Sequence, residues 1–182
     1  MAEMEEPRFL KDPEIRIRPF VQGDAEAVGT LVRDVFERDM EAQLVHDLRR
    51  CKAMVLELVA EDAAGELVGH IAFSRMTGCQ VGHPLQISCL APVSVAKQRQ
   101  MQGIGAALIQ SGLDQLQGLG EDVVTVLGAP EYYTRFGFDS ELAKKYQGPY
   151  SGKVYMAVAF TREAQLENAC QVTYATPFQA LG

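Results

Sequence analysis

The segment Leu90-Ala91-Pro92-Val93-Ser94-Val95-Ala96-Lys97-Gln98-Arg99-Gln100-Met101-Gln102-Gly103-Ile104-Gly105-Ala106-Ala107-Leu108 constrains the fold more than any other stretch of the chain. A strand running to Val95 gives way to a polar loop, and a helix begins at about Gly103. The first amides of a helix have no partner inside it and point outward, with the positive end of the macrodipole behind them. Glycine at 103 and 105 lets an anion approach that backbone closely, so the turn suits a diphosphate. The same turn also forms where glycine is needed only for packing, and the segment by itself leaves both readings open. Two other phosphate loops fit less well. Gly103-x-Gly105 runs on to Leu108 without the third glycine of a dinucleotide-binding turn, and Glu121 and Asp122 precede a strand instead of following one. No G-x-x-x-x-G-K-[ST] run occurs.

The period of the apolar residues assigns the elements around this segment. Residues 14–20 alternate polar and apolar, the pattern of a strand with one buried face. Asp24 is an N-cap candidate for a helix whose Val28, Leu31, Val32, Val35 and Phe36 recur at three and four residues. A second helix spans 41–50, with Leu44, Val45 and Leu48 on its inner side. Residues 54–60 and 67–74 read as strands joined by the turn composition Asp62-Ala63-Ala64-Gly65, and a further strand covers about 86–95. Ile104, Leu108, Leu116 and Leu119 form one face of a helix over 103–119, closed by Gly120. The nearly unbroken apolar run at 122–127 predicts a strand covered on both sides. A short helix over 130–136 ends at Gly137, and strands are expected near 154–160 and 171–174. Strands interleaved with helices make an α/β sheet of mixed direction.

A chain of 182 residues is enough for one domain with a core and short for two, so residues 1–13 read as a polar lead and 14–182 as the domain. No apolar run approaches the roughly 18 residues of a membrane span. The acidic start MAEMEEPRFLKDP lacks the layout of a secretory signal, so a cytoplasmic address is expected. A net charge of −7 argues against sequence-independent nucleic-acid binding, which needs Lys and Arg to neutralise phosphates. Cys51, Cys79, Cys89 and Cys170 are widely spaced, with no C-x-x-C pair and no His at ligand spacing. Neither a zinc site nor a disulfide framework is expected from them, and most read as small apolar fillers.

Gln100-Met101-Gln102-Gly103-Ile104-Gly105 matches the [QR]-x-x-G-x-[GA] signature of the GCN5-related N-acetyltransferase (GNAT) superfamily, which the chain resembles at a second place as well. Ala129-Pro130-Glu131-Tyr132-Tyr133-Thr134-Arg135-Phe136-Gly137-Phe138 is similar to that family's short helix and Y-x-x-x-G-F element. Val126-Leu127-Gly128 ahead of it, and Val172-x-Tyr174…Phe178 after it, resemble the YhbS-type branch, and the resemblance covers roughly residues 14–178. Lys97 stands where relatives often carry Pro, and Met101 where many carry Gly.

The resemblance implies a single-domain α/β fold of GNAT type: a mixed central sheet of about six to seven strands flanked by helices, with two strands splayed into a cleft for coenzyme A. It implies acetyl-CoA as co-substrate, no metal, and transfer of the acetyl group to an amine on a small molecule or peptide by direct attack. Nucleic acid and membrane are not expected partners, and a homodimer stays open. By the same resemblance, the backbone of Val93, Ser94 and Val95 runs along the pantetheine arm and supplies oxyanion donors. Gln100, Met101, Gln102, Gly103, Ile104, Gly105 and Ala106 hold the diphosphate. Tyr133 is the implied proton donor to the departing thiolate; Tyr132 competes, but Tyr133 has the Y-x-x-x-G-F spacing. Many relatives carry a Glu on the strand corresponding to 86–93, where this chain has Gln86, Ser88 and Cys89. The general base therefore stays open among Glu41, His46, His70 and His83. Lys97 and Arg99 are either phosphate ligands or solvated loop cations. The missing carboxylate keeps a second reading alive: a non-catalytic acyl-CoA-binding sensor or interaction module with the same fold.

Overall fold

The strand-period segments assemble into one seven-stranded sheet in the computed structural model, which describes residues 9–78, 80–81, 83–166 and 169–181. Its strands are β1 (Arg16–Pro19), β2 (Met54–Glu61), β3 (Leu67–Thr77), β4 (Ile87–Val95), β5 (Val123–Leu127), β6 (Tyr155–Ala159) and β7 (Thr173–Tyr174). The first six lie side by side in chain order, and β7 pairs with β3. Every pairing is antiparallel except β4 with β5. A parallel pair needs a crossover, and the helix α3 (Ile104–Gly118) supplies it. The other helices are α1 (Ala25–Phe36), α2 (Met40–Arg50), α4 (Pro130–Tyr133), α5 (Ser140–Ala143) and α6 (Arg162–Leu166).

Each face of the sheet has its own apolar cover. Leu58, Ile71, Phe73, Val124, Val126 and Met156 meet Ile104, Leu108, Ile109 and Leu116 of α3. On the opposite face Leu44 and Leu48 of α2 pack with Ile87, Cys89, Val123, Tyr155, Tyr174 and Phe178. Val28 and Val32 of α1 and Val45 of α2 close over Val59. Each fully buried Leu or Ile in these layers contributes about 1.5–3 kcal/mol.

Several expectations are corrected. Leu119 lies beyond the last residue of α3 and is 64% exposed, so the helix face ends at Leu116. Asp24 stands at the start of α1 but makes no cap bond to it; its carboxylate accepts from the Val21 amide and from Arg18 instead. The segment 171–174 is two short pieces. Cys170–Gln171 pairs in parallel with Tyr146–Gln147, while Thr173–Tyr174 joins β3, with Val172 buried between them. Cys89 is the buried apolar filler expected and Cys51 is exposed, both with free thiols. Cys170, against expectation, is disulfide-bonded. Residues 1–8, Cys79 and the side chain of His83 lie outside the described residues. Among the described residues no helix is long and apolar enough to cross a membrane.

One buried polar network ties α2 to the sheet. Glu57 of β2 accepts from Arg49 Nε at 3.0 Å, and its Oε1 lies 2.7 Å from Nε2 of the fully buried His70 on β3. Burial alone would raise the Glu57 pKa, but the hydrogen bonds from His70 and Arg49 outweigh it and hold the carboxyl below the ordinary carboxylate range. A depressed folded pKa gives stability that is present above the unfolded value and lost as pH falls through the folded one. Glu57→Gln is expected to cost about 3 kcal/mol at neutral pH, since it leaves Arg49 without its charge partner. Denaturant titrations of both proteins at descending pH check this, because the gap between them should narrow on the acid side.

Candidate active site

β4 and β5 part company halfway along. The ladder pairs Ile87–Val123, Ser88–Val124, Cys89–Thr125 and Leu90–Val126, and stops there. Beyond Leu90, β4 runs on to Val95 held by β3 alone, through Ile71–Val93, His70–Ser94 and Gly69–Val95. A register shift between Ile71 and Phe73 sets two β4 residues, Ala91 and Pro92, against Ala72 of β3, a one-residue bulge that bends β4 away from β5. Past the end of β5, the Gly128 amide donates to Val154 and so turns towards β6. Among the described residues no strand pairs with the β5-facing edge of β4 over 91–95, which suits it to hydrogen-bond an extended ligand.

The turn after β4 leads into the same gap. Gln100 Nε2 donates to the Val95 carbonyl at 3.1 Å, tying the loop to the end of the strand. Met101 adopts φ +62° and is 91% exposed, and Gly103 adopts φ +87° as the residue before α3. The N-cap residue Gly103 has no side chain to cap α3, so its first turn at Ile104, Gly105 and Ala106 presents amides without a side-chain cap among the described residues. These residues line a cavity of about 630 Å³ together with Val93, Val95, Gln100, Met101 and Gly103. Ser94 and Gln102, expected with them, do not line it. The Ser94 side chain is buried on the far side of β4, and Gln102 Nε2 turns back to the Gln98 carbonyl at 3.4 Å.

Four wall residues of this cavity were not among the expected site residues, Phe9, Lys11, Val35 and Arg135, and a fifth, Tyr132, was expected only as a competitor of Tyr133. Phe9 and Lys11 come from the end of the lead, which folds back onto the loop. The Lys11 amide donates to the Gln102 carbonyl at 3.2 Å, and the Phe9 ring sits 5.8 Å from that of Phe136. Cations line the cavity, in Lys11, Arg99 and Arg135, and among the described residues no carboxylate does, although the chain carries a net charge of −7. That asymmetry suits a polyanion.

The two tyrosines of α4 separate. Tyr132 lines the cavity, its hydroxyl 3.3 Å from where a Cβ on Gly105 would stand, and Arg135 lies over its ring at 4.2 Å. Tyr133 is buried behind it, against Phe138 and the Gly128 backbone, where a Cβ would come within 2.1 Å of its ring. Burial, with Tyr132 adding, pushes the Tyr133 phenol up to about 12. Tyr132 therefore stands at the helix end of the cavity and Tyr133 beside the end of β5.

The remaining candidates divide by what holds them. Glu41 is engaged by Arg38, His70 by Glu57, and His46 lines a different cavity between α1 and α2. Ser88 bonds the buried carboxylate of Glu121, which also pairs with Arg75 at 2.6 Å, at the closed end of the β4–β5 ladder. The buried Cys89 thiol is pushed up to about 12 by desolvation, unlike a reactive thiolate. Lys97 pairs with Glu37 away from the cavity, whereas Arg99 lines it and pairs with Asp12 at 2.9 Å. Among the described residues no group of three or more His, Cys, Asp or Glu side chains gathers closely enough to hold a metal ion.

A family model described as an acetyltransferase (GNAT) domain matches residues 16–140. The chain is similar to the uncharacterized N-acetyltransferase YhbS of Escherichia coli K12, with 41% identity over 123 residues, covering 68% of this chain and 72% of that protein. The solved structure of a GNAT family N-acetyltransferase (YhbS) from Escherichia coli in complex with CoA superposes with a TM-score of 0.85 at 33% identity, covering 94% of this chain and 97% of that one. A GNAT family acetyltransferase from Brucella melitensis in complex with acetyl-CoA gives a TM-score of 0.75 at 32% identity, covering 90% and 97%.

Proposed function

The chain belongs to the GNAT acetyltransferase family, and from that premise we propose that it transfers the acetyl group of acetyl-CoA to an amine on a small molecule or peptide by direct attack. The observation that carries the reading is the parting of β4 from β5 beside the uncapped start of α3, in one cation-lined cavity. A diphosphate fits the amides of Ile104, Gly105 and Ala106, while an extended amide-bearing arm fits the free edge of β4. In this reading the thioester lies where the strands diverge, on the side of Tyr133, whose ring packs on Gly128, and away from the Tyr132 hydroxyl over Gly105.

In this scheme the amine lone pair forms a C–N bond to the thioester carbonyl, and backbone amides around 93–95 stabilise the oxyanion. The C–S bond then breaks, and Tyr133 gives its phenolic proton to the departing thiolate. The ammonium proton leaves to solvent or to a base on the acceptor side. Nothing in the scheme calls for a metal or an acyl-enzyme. The acceptor approaches from the face covered by α1, α2 and the C-terminal segment. Buried hydroxyls of Ser74 and Ser94 on that face have no hydrogen-bond partner among the described residues, which suits a bridging water between them and an acceptor.

The test is thiol release from acetyl-CoA with a panel of amines: a polyamine, an aminoglycoside and a peptide with a free N-terminus. Amine-dependent release with matching acetylated product is the expected result. Tight coenzyme binding with no turnover for any of them would favour an acyl-CoA-binding module over a transferase.

A further inference from the structure

We propose that Lys11, carried by the lead ahead of the residues that the family model matches, makes a direct cationic contact to the diphosphate of coenzyme A. The inference rests on the coenzyme reading of the cavity and adds to it a residue outside the family match, which begins at residue 16. Residues 9–12 are fixed to the loop before α3 at three points and to Phe136 after α4 at a fourth. Asp12 pairs with Arg99 at 2.9 Å, the Lys11 amide donates to Gln102, Lys11 Nζ donates to the Met101 carbonyl at 3.0 Å, and Phe9 packs on Phe136. The Phe9 carbonyl lies so close over Gly103 that a Cβ there would sit 1.7 Å from it. Only glycine leaves room for the lead at this point.

The three cavity cations are not equivalent. Arg99 is already paired with Asp12 and lies 3.9 Å from Asp62, and Arg135 is spread over the rings of Tyr132 and Phe136. Lys11 is anchored only through a neutral carbonyl, with no ion pair among the described residues. An ammonium has three donors, so two remain after the bond to Met101. The anchor holds them at the loop whose following amides open into the cavity. A phosphoryl oxygen bridging those amides and Lys11 completes both sets, in the manner of a lysine acting as a point charge on a phosphate. Arg99, held by Asp12, then serves to position the lead.

The experiment is calorimetric titration of the full chain, Lys11→Met and Lys11→Arg with coenzyme A and with dephospho-coenzyme A, which keeps the diphosphate but lacks the 3′-phosphate. Lys11→Met retains the aliphatic stem, and its thermal midpoint without ligand reports folding. The expected result is a loss of about tenfold for both ligands, with Lys11→Arg near the parent. Affinity of Lys11→Met equal to or tighter than the parent would overturn the proposal, and tightening would make the lead a cover that the ligand displaces. A loss confined to coenzyme A would also overturn it, moving Lys11 to the 3′-phosphate. A parent chain that binds neither ligand sinks the coenzyme reading itself, an outcome distinct from a binding parent with an indifferent variant.

Discussion

Gly105→Asp is expected to lower coenzyme A affinity on the order of 100-fold or more while leaving the fold intact. Position 105 lies in the first turn of α3, where a carboxylate sits well with the helix macrodipole and adds a few tenths of a kcal/mol, about 0.3–1, to folding stability. A Cβ there meets the Tyr132 hydroxyl at 3.3 Å and Val95 Cγ2 at 3.5 Å, a tight but not prohibitive fit. The side chain would enter the cavity and compete for the amides that a diphosphate needs. Two like charges about 4 Å apart near a protein surface repel by about 4 kcal/mol, and solvent screening reduces that to the range given. Gly105→Asn has the same shape without the charge, so it should keep most of the affinity. Gly103 is a poorer site for this test. Its φ of +87° strains any side chain, and the Phe9 carbonyl fills the space a Cβ would take, so a loss there would mix backbone strain with electrostatics. Titration calorimetry on the two position-105 variants, with thermal unfolding as the control, decides the matter. Equal affinity for Asp and parent would mean that no phosphate visits this turn.

How much of this was legible in the sequence depends on the range of the signal. The core strands and α1 to α3 were readable because their apolar residues repeat at two or at three to four positions, and each repeat maps to one covered face. The strand-to-helix turn was readable because two glycines and a polar loop occupy fixed places in a motif. The docking of the lead was not, because Lys11 and Met101 are 90 positions apart and nothing periodic links them. The same holds for the Arg49–Glu57–His70 network. Glu57 and His70 look like the solvated residues of half-exposed strands until α2 covers that face. The C-terminal region failed for another reason. Pairs of two residues, such as Cys170–Gln171 on Tyr146–Gln147, are too short to carry a period, so one strand was expected where two pieces diverge. The family resemblance pointed to Tyr133 by spacing. Spacing alone could not say that Tyr132 would form the cavity wall and Tyr133 would lie behind it, because adjacent helical residues point about 100° apart and only packing decides which faces inward.

That division of the two phenols leads to the second large effect. Tyr133→Phe should reduce turnover on the order of 100-fold with little change in the affinity for acetyl-CoA, the pattern of a proton donor that acts only as the thiolate departs. Tyr132→Phe should do the reverse, weakening coenzyme binding and sparing turnover, since its hydroxyl stands over Gly105 at the phosphate end. The pH profile adds an independent readout. An acid works only while protonated, and burial holds the Tyr133 phenol near about 12, above the ordinary tyrosine value of 10.0. The parent should therefore keep its rate through pH 10, where an unperturbed phenol would be half ionised. An alkaline fall centred near 10 would mean that the donating group is not this buried phenol. Were Tyr132→Phe to take the turnover loss while Tyr133→Phe kept the parent rate, the proton would come from the cavity wall, and the thioester would have to lie nearer α3 than the parting of β4 and β5 suggests.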